Sequence, residues 1–154
     1  MYRRLFVMLA LGVLLSTQAS AEIGRVKSAV GPASEQRGET HIPASIGQEL
    51  MPGDWLETGK DGRMSLTFAD DTRFAVGPDS RIALTKFDYD PTSQNGSFIA
   101  EVERGSVAVV SGRITKTRCG GQTGSSGPNC GMEVRTPDST LGIHGTRFIV
   151  TVPR

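Results

Sequence analysis

The chain has 154 residues, 17 basic against 16 acidic side chains, a formal net charge of +1, 19 glycines and an aromatic content of 6%. This balance speaks against a nucleic-acid binder, which usually carries a basic face, and against attraction to an anionic membrane surface. The length suits one domain with a modest core, and abundant glycine among short apolar runs points to turn-rich β structure rather than helices.

Arg3 and Arg4 precede an uncharged, almost wholly apolar run from Leu5 to Leu15, and Ala19-Ser20-Ala21 supplies a small-x-small cleavage pattern. Together they predict a secretory signal peptide over residues 1–21, cut after Ala21. The run is too short for a membrane span, which needs roughly 20 apolar residues. The expected mature domain is 22–154, with 15 basic against 16 acidic residues and a net charge of about −1. The expected location is periplasmic or secreted, with no transmembrane span in the mature chain.

Ile23 to Val30 reads as a first strand, ended by Gly31-Pro32. Ala33 to Ser45 is polar with little periodicity and reads as a loop with a short extended piece. From Pro52 to Pro91, short alternating apolar runs are cut by Gly53-Asp54, Lys60-Asp61-Gly62, Asp70-Asp71 and Gly77-Pro78-Asp79-Ser80. Met64, Leu66 and Phe68 share one face of a strand by period-2 alternation, as do Phe74 with Val76 and Ile82 with Leu84. Thr92 to Ser97 reads as a loop, and Phe98–Glu103 and Val107–Val110 as two paired strands around Arg104-Gly105. Short strands are expected around Met132–Val134, Leu141–Ile143 and Phe148–Val152. The last would be an exposed edge if the chain is a piece of a longer protein. No window holds a helical period over ten positions, so the expected fold is all-β: one domain of short antiparallel or coiling strands, β-helix-like or β-roll-like.

Cys119 and Cys130 flank an insert of Gly, Ser, Thr, Gln, Pro and Asn with nothing to fill a core. In an oxidising compartment they are expected to form a disulfide, worth about 2–3 kcal/mol through restriction of the unfolded chain. Two cysteines at this spacing lack the further ligands of a zinc site, and His41 and His144 stand far apart in sequence. No metal or other cofactor is expected.

Carboxylates recur at Asp54, Asp61, Asp70, Asp71, Asp79, Asp88 and Asp90, and paired carboxylates can perform glycosidase chemistry. Most sit at turn positions, where Asp is favoured by hydrogen bonds to its own backbone. No nucleophile elbow is present, since Ser106 in Arg104-Gly105-Ser106-Val107-Ala108 lacks the closing glycine. Catalytic residues are therefore expected to be none. Trp55, the single Trp, reads as a core anchor, with a sugar-stacking platform as the alternative. Trp55 and Tyr89 are the candidate ligand contacts.

An ordered series of motifs runs through the chain. It comprises Gly24-x-Val26, Gly53-Asp54-x-Leu56-x-Thr58-Gly59, Asp61-Gly62-Arg63, Phe68-x-Asp70-x-Thr72 and Gly77-Pro78-x-Ser80. It continues with Phe87-x-Tyr89-Asp90, Arg104-Gly105-x-Val107, Ser111-Gly112-x-Ile114, Thr136-Pro137 and Leu141-Gly142-Ile143-x-Gly145-Thr146-x-Phe148. In this series the chain resembles the FecR domain family. The resemblance implies an all-β, partly helically wound fold. It also implies kinship with regulators that span the inner membrane: their extracytoplasmic part senses a loaded outer-membrane iron transporter and their cytoplasmic part controls a sigma factor. Neither a cytoplasmic segment before the hydrophobic run nor a spanning helix is expected here, so the chain resembles a stand-alone exported version of the sensing domain.

The expectation is a non-enzymatic binding or sensing module that contacts a protein or cell-envelope component and no nucleic acid. A carbohydrate-binding module or weak hydrolase acting on envelope glycans is the alternative. A structural remnant of a truncated larger protein is the third.

Overall fold

The computed structural model describes residues 21–116, 130–144 and 147–153. The expected leader, apart from Ala21, and Cys119, one half of the expected disulfide, lie outside the described residues. Within them the chain is all-β, with one 3₁₀ turn at Ile114–Lys116 and no α-helix. No helix there is long and apolar enough to cross a membrane.

The strands are β1 (Gly24–Val30), β2 (Ala33–Arg37), β3 (Thr40–Pro43), β4 (Glu49–Leu50), β5 (Trp55–Thr58), β6 (Arg63–Phe68), β7 (Arg73–Val76), β8 (Arg81–Tyr89), β9 (Gly96–Val110), β10 (Gly131–Arg135), β11 (Thr140–Ile143) and β12 (Arg147–Val152). They form two layers joined through β9. The first sheet places β1 between β4 and β6, β6 beside β7, and β7 and β12 both against the C-terminal half of β9. The second runs β3-β2-β5-β8 to the N-terminal half of β9, which also pairs with β10 and, through it, β11. Every pairing is antiparallel except β9 with β10.

Two expectations are corrected here. The segments on either side of Arg104-Gly105 are one 15-residue strand, not a hairpin. Gly105, at φ +87°, lets that strand bend from one sheet into the other, and a Cβ there would stand 2.2–2.6 Å from Ser80. The polar stretch after Pro32 is likewise not a loop but the β2–β3 hairpin, turned at Gly38. Its strands are polar because much of their surface faces water, which hides the period-2 signal.

The alternating apolar positions behave as their period demands. Met64, Leu66, Phe68, Phe74, Val76, Ile82 and Leu84 are all buried, and together with Val107, Val109 and Val134 they fill one core between the sheets. Phe68, Phe74, Phe87 and Phe98 stack or meet edge-to-face, with centroids 4.7–5.9 Å apart, so the few aromatics are concentrated where burial counts most.

Candidate functional site

The two ligand-contact candidates do not share a site. Trp55 is half-buried and pairs with Ala83 across β5 and β8, on the outward face of the second sheet. It is not a core anchor, because neighbouring Leu56 takes the inward position. The guanidinium of Arg81 lies 4.5 Å from its ring centroid, so a cation–π contact already occupies one ring face. Tyr89 sits six residues further along β8, about 20 Å away by strand rise, and packs against the core beside Phe87.

The aspartates divide into turn-formers and buried hubs. Asp71 and Asp79 adopt positive φ, which Asp tolerates better than most residues. Asp90 accepts the Thr92 N–H and the Ser93 hydroxyl, and the Ser93 bond first and the Thr92 bond second hold its carboxyl below the usual carboxylate range. Asp70, fully buried, accepts the Thr72 N–H, the Thr72 hydroxyl and the Ile114 N–H, while the Thr72 hydroxyl also takes the Gly112 N–H. A Cβ on Gly112 would lie 2.1 Å from the Asp70 carbonyl oxygen, so this glycine lets the chain leaving β9 close over the hub.

A second hub was not foreseen. Glu35 and Asp54 are almost wholly buried, and Arg37, 43% exposed, binds both. Arg37 donates from Nε and Nη2 to the two Asp54 oxygens at 2.9 Å, and from Nη2 to Glu35 at 2.6 Å. Gln48 donates to the other Glu35 oxygen at 2.6 Å, and the Met51 N–H to Asp54 at 2.7 Å. Burial, and then the neighbouring Asp54 charge, push the Glu35 carboxyl above the usual range, with Arg37 opposing. Every carboxylate oxygen here has a donor, so the cluster ties the β2–β3 hairpin to the turn before β5. The sequence signal was Glu35-x-Arg37: opposite charges two apart lie on one face of a strand.

A strand edge with a groove beside it lies at the end of the chain. Among the described residues, β12 pairs only with β9 and β11 only with β10. A groove of about 340 Å³ separates the two elements, lined by Thr136, Ser139 and Leu141 on one side and Ile149 to Pro153 on the other. Ile149 is 73% and Leu141 41% exposed. An unpaired strand edge offers free backbone donors and acceptors, and two exposed aliphatic side chains beside it offer apolar contact. Elsewhere on the second sheet charges pair internally: Arg81 with Glu57 and Glu103, Arg104 with the same two, and Arg135 with Glu133. Among the described residues no cluster of three or more His, Cys, Asp or Glu could hold a metal ion.

Comparison with known proteins finds one family: the model described as FecR protein matches residues 54–153. No curated protein and no solved structure matches the chain. The matched span runs from Asp54 of the second hub through both β9 and the β12 edge.

Proposed function

The chain belongs to the FecR protein family, and from that premise we propose that it is an exported, non-enzymatic sensing module of the cell envelope that receives an extended segment of a protein partner. The observation that carries this reading is the groove between β11 and the free edge of β12, with Ile149 and Leu141 exposed beside it. An extended segment entering there adds a strand to β12 through main-chain hydrogen bonds, while the two aliphatic side chains select apolar residues at alternate positions. Periplasmic or secreted location rests on the leader-like N-terminus. A non-enzymatic role is supported by the carboxylates themselves: Asp54, Asp70 and Glu35 have their oxygens engaged in holding turns and strands together.

The test is site-specific photo-crosslinking in the native cell envelope, with the reactive side chain at position 149 or 141. A discrete protein adduct at both positions, lost on Ile149→Lys when the probe is at 141, is the expected result. Absence of any protein adduct at either position would sink the proposal.

A further inference from the structure

We propose that the outward face of the first sheet is a binding surface for a linear acidic polysaccharide. This goes beyond the protein-contact reading: the face adjoins the groove at Ile149, but its cations lie outside the groove lining, so variants of Arg73 and Arg147 test it separately.

The strand register builds the face. One row across the sheet runs Arg25, Thr67, Arg73, Val110, Arg147 from β1 to β12. The adjoining row runs Ser28, Ser65, Ala75, Ala108, Ile149. The first row alternates cation and neutral residue strand by strand. With strands about 4.8 Å apart, its cations stand about 10 Å from one another. From Ser28 to Ala108 the second row is a low floor of hydroxyl and methyl groups, with the Ser28 and Ser65 hydroxyls 2.6 Å apart, and it ends at the exposed Ile149. A shallow hollow of about 580 Å³ opens over this floor, with Lys27, Thr67, Arg73 and Val110 around it.

Two of the three cations in the row, Arg73 and Arg147, are available, and so are Lys27 and Arg63 beside it. Arg25 is held by Glu22 and Glu49. Among the described residues, no ion pair involves Lys27, Arg63, Arg73 or Arg147, and all four are exposed. Four unpaired cations on one face of a nearly neutral chain create a local positive potential that overall charge does not reveal.

The shape and chemistry of the face choose the occupant. Neither row of this face contains Phe, Tyr or Trp, so the face lacks the aromatic anchors that dominate protein interfaces. Without an aromatic platform a neutral glycan has little to stack on. An extended acidic peptide presents side chains to one face every ~6.7 Å, out of step with the about 10 Å between Arg73 and Arg147. A flat, hydroxyl-bearing chain with a carboxylate or sulfate on each repeating unit meets the cations at its rim and the serine and threonine hydroxyls on its floor.

The experiment uses the full chain in affinity electrophoresis through gels containing polygalacturonate, dextran or poly-L-glutamate. Polygalacturonate is expected to retard the protein in a salt-sensitive way, dextran not at all, and poly-L-glutamate more weakly. The double variant Arg73→Ser/Arg147→Ser is expected to weaken polygalacturonate binding at least about tenfold, since each arginine supplies charge-assisted contacts. Its urea midpoint should not move, and Lys116→Ser/Arg135→Ser, elsewhere on the molecule, should bind as the parent does. Equal or stronger retardation by poly-L-glutamate would reassign the face to an acidic protein. No retardation by polygalacturonate, or equal loss in both double variants, would overturn the proposal.

Discussion

The outward faces of the two sheets handle charge differently. On the second sheet, Arg81 and Arg104 share Glu57 and Glu103, and Arg135 holds Glu133. On the first sheet, Arg25 is held by Glu22 and Glu49, whereas Lys27, Arg63, Arg73 and Arg147 are exposed and join no ion pair among the described residues. The same residue types are therefore a structural lattice on one side and, apart from Arg25, an unpartnered surface on the other. A charge engaged by its neighbours contributes to the fold; a charge left facing water contributes little stability and is available to a ligand.

The joint between the two faces is the most sensitive point. Gly105→Ala forces a Cβ against Ser80 at a backbone angle that side chains avoid. It is expected to destabilise the domain by about 2–4 kcal/mol, combining the left-handed penalty with overpacking. Urea denaturation checks this as a fall in midpoint without a change in slope. A shift near zero would mean that β9 does not hold the two sheets in the arrangement described.

A smaller effect is expected on pH dependence. Glu35 carries a folded-state pKa above its unfolded value, through burial and then the Asp54 charge. Its contribution to stability is therefore fully present below the unfolded carboxylate range, about pH 4, and is lost as pH rises through the raised folded value. Glu35→Gln removes that loss, so the variant should gain on the parent as pH rises from 4 to 7, measured as the difference in urea midpoints. A difference that is flat or runs the other way would contradict the assignment.

The sharpest contrast between the faces needs two alanine substitutions. Arg81→Ala removes a cation stacked on Trp55 and two part-exposed ion pairs, and should cost about 1–2 kcal/mol. It should also change the fluorescence of Trp55, the single Trp of the chain. Arg73→Ala should stay within about 0.5 kcal/mol of the parent. Equal costs would erase the distinction between a structural and an available charge.

The sequence made the core legible because period-2 alternation survives wherever one strand face is buried, as at Met64-Ser65-Leu66-Thr67-Phe68. It concealed β2 and β3, whose polar residues include the buried Glu35: a charge satisfied by Arg37 and Gln48 looks like a solvated one until its partners are placed. It also split β9 at Arg104-Gly105, because a glycine that bends a strand and a glycine that turns a hairpin are the same letter. The Asp turns at positions 71, 79 and 90 were readable from local chemistry, whereas Asp54 and Asp70 gained long-range partners that no local rule supplies. Trp55 was misplaced for a related reason: alternation fixes which neighbours share a face, but whether Trp55 or Leu56 faces inward depends on the sheet's packing. The groove beside β12 depends on β10–β11 and β12 lying near each other in space, which no contiguous motif encodes.

The most direct test of the sensing reading compares photo-crosslinking at Ile149 with crosslinking at Ile46, an equally exposed aliphatic residue outside the groove (76% against 73%). The account predicts a discrete protein adduct from position 149 and none from position 46. Equal labelling from both positions, or none from 149, would contradict it.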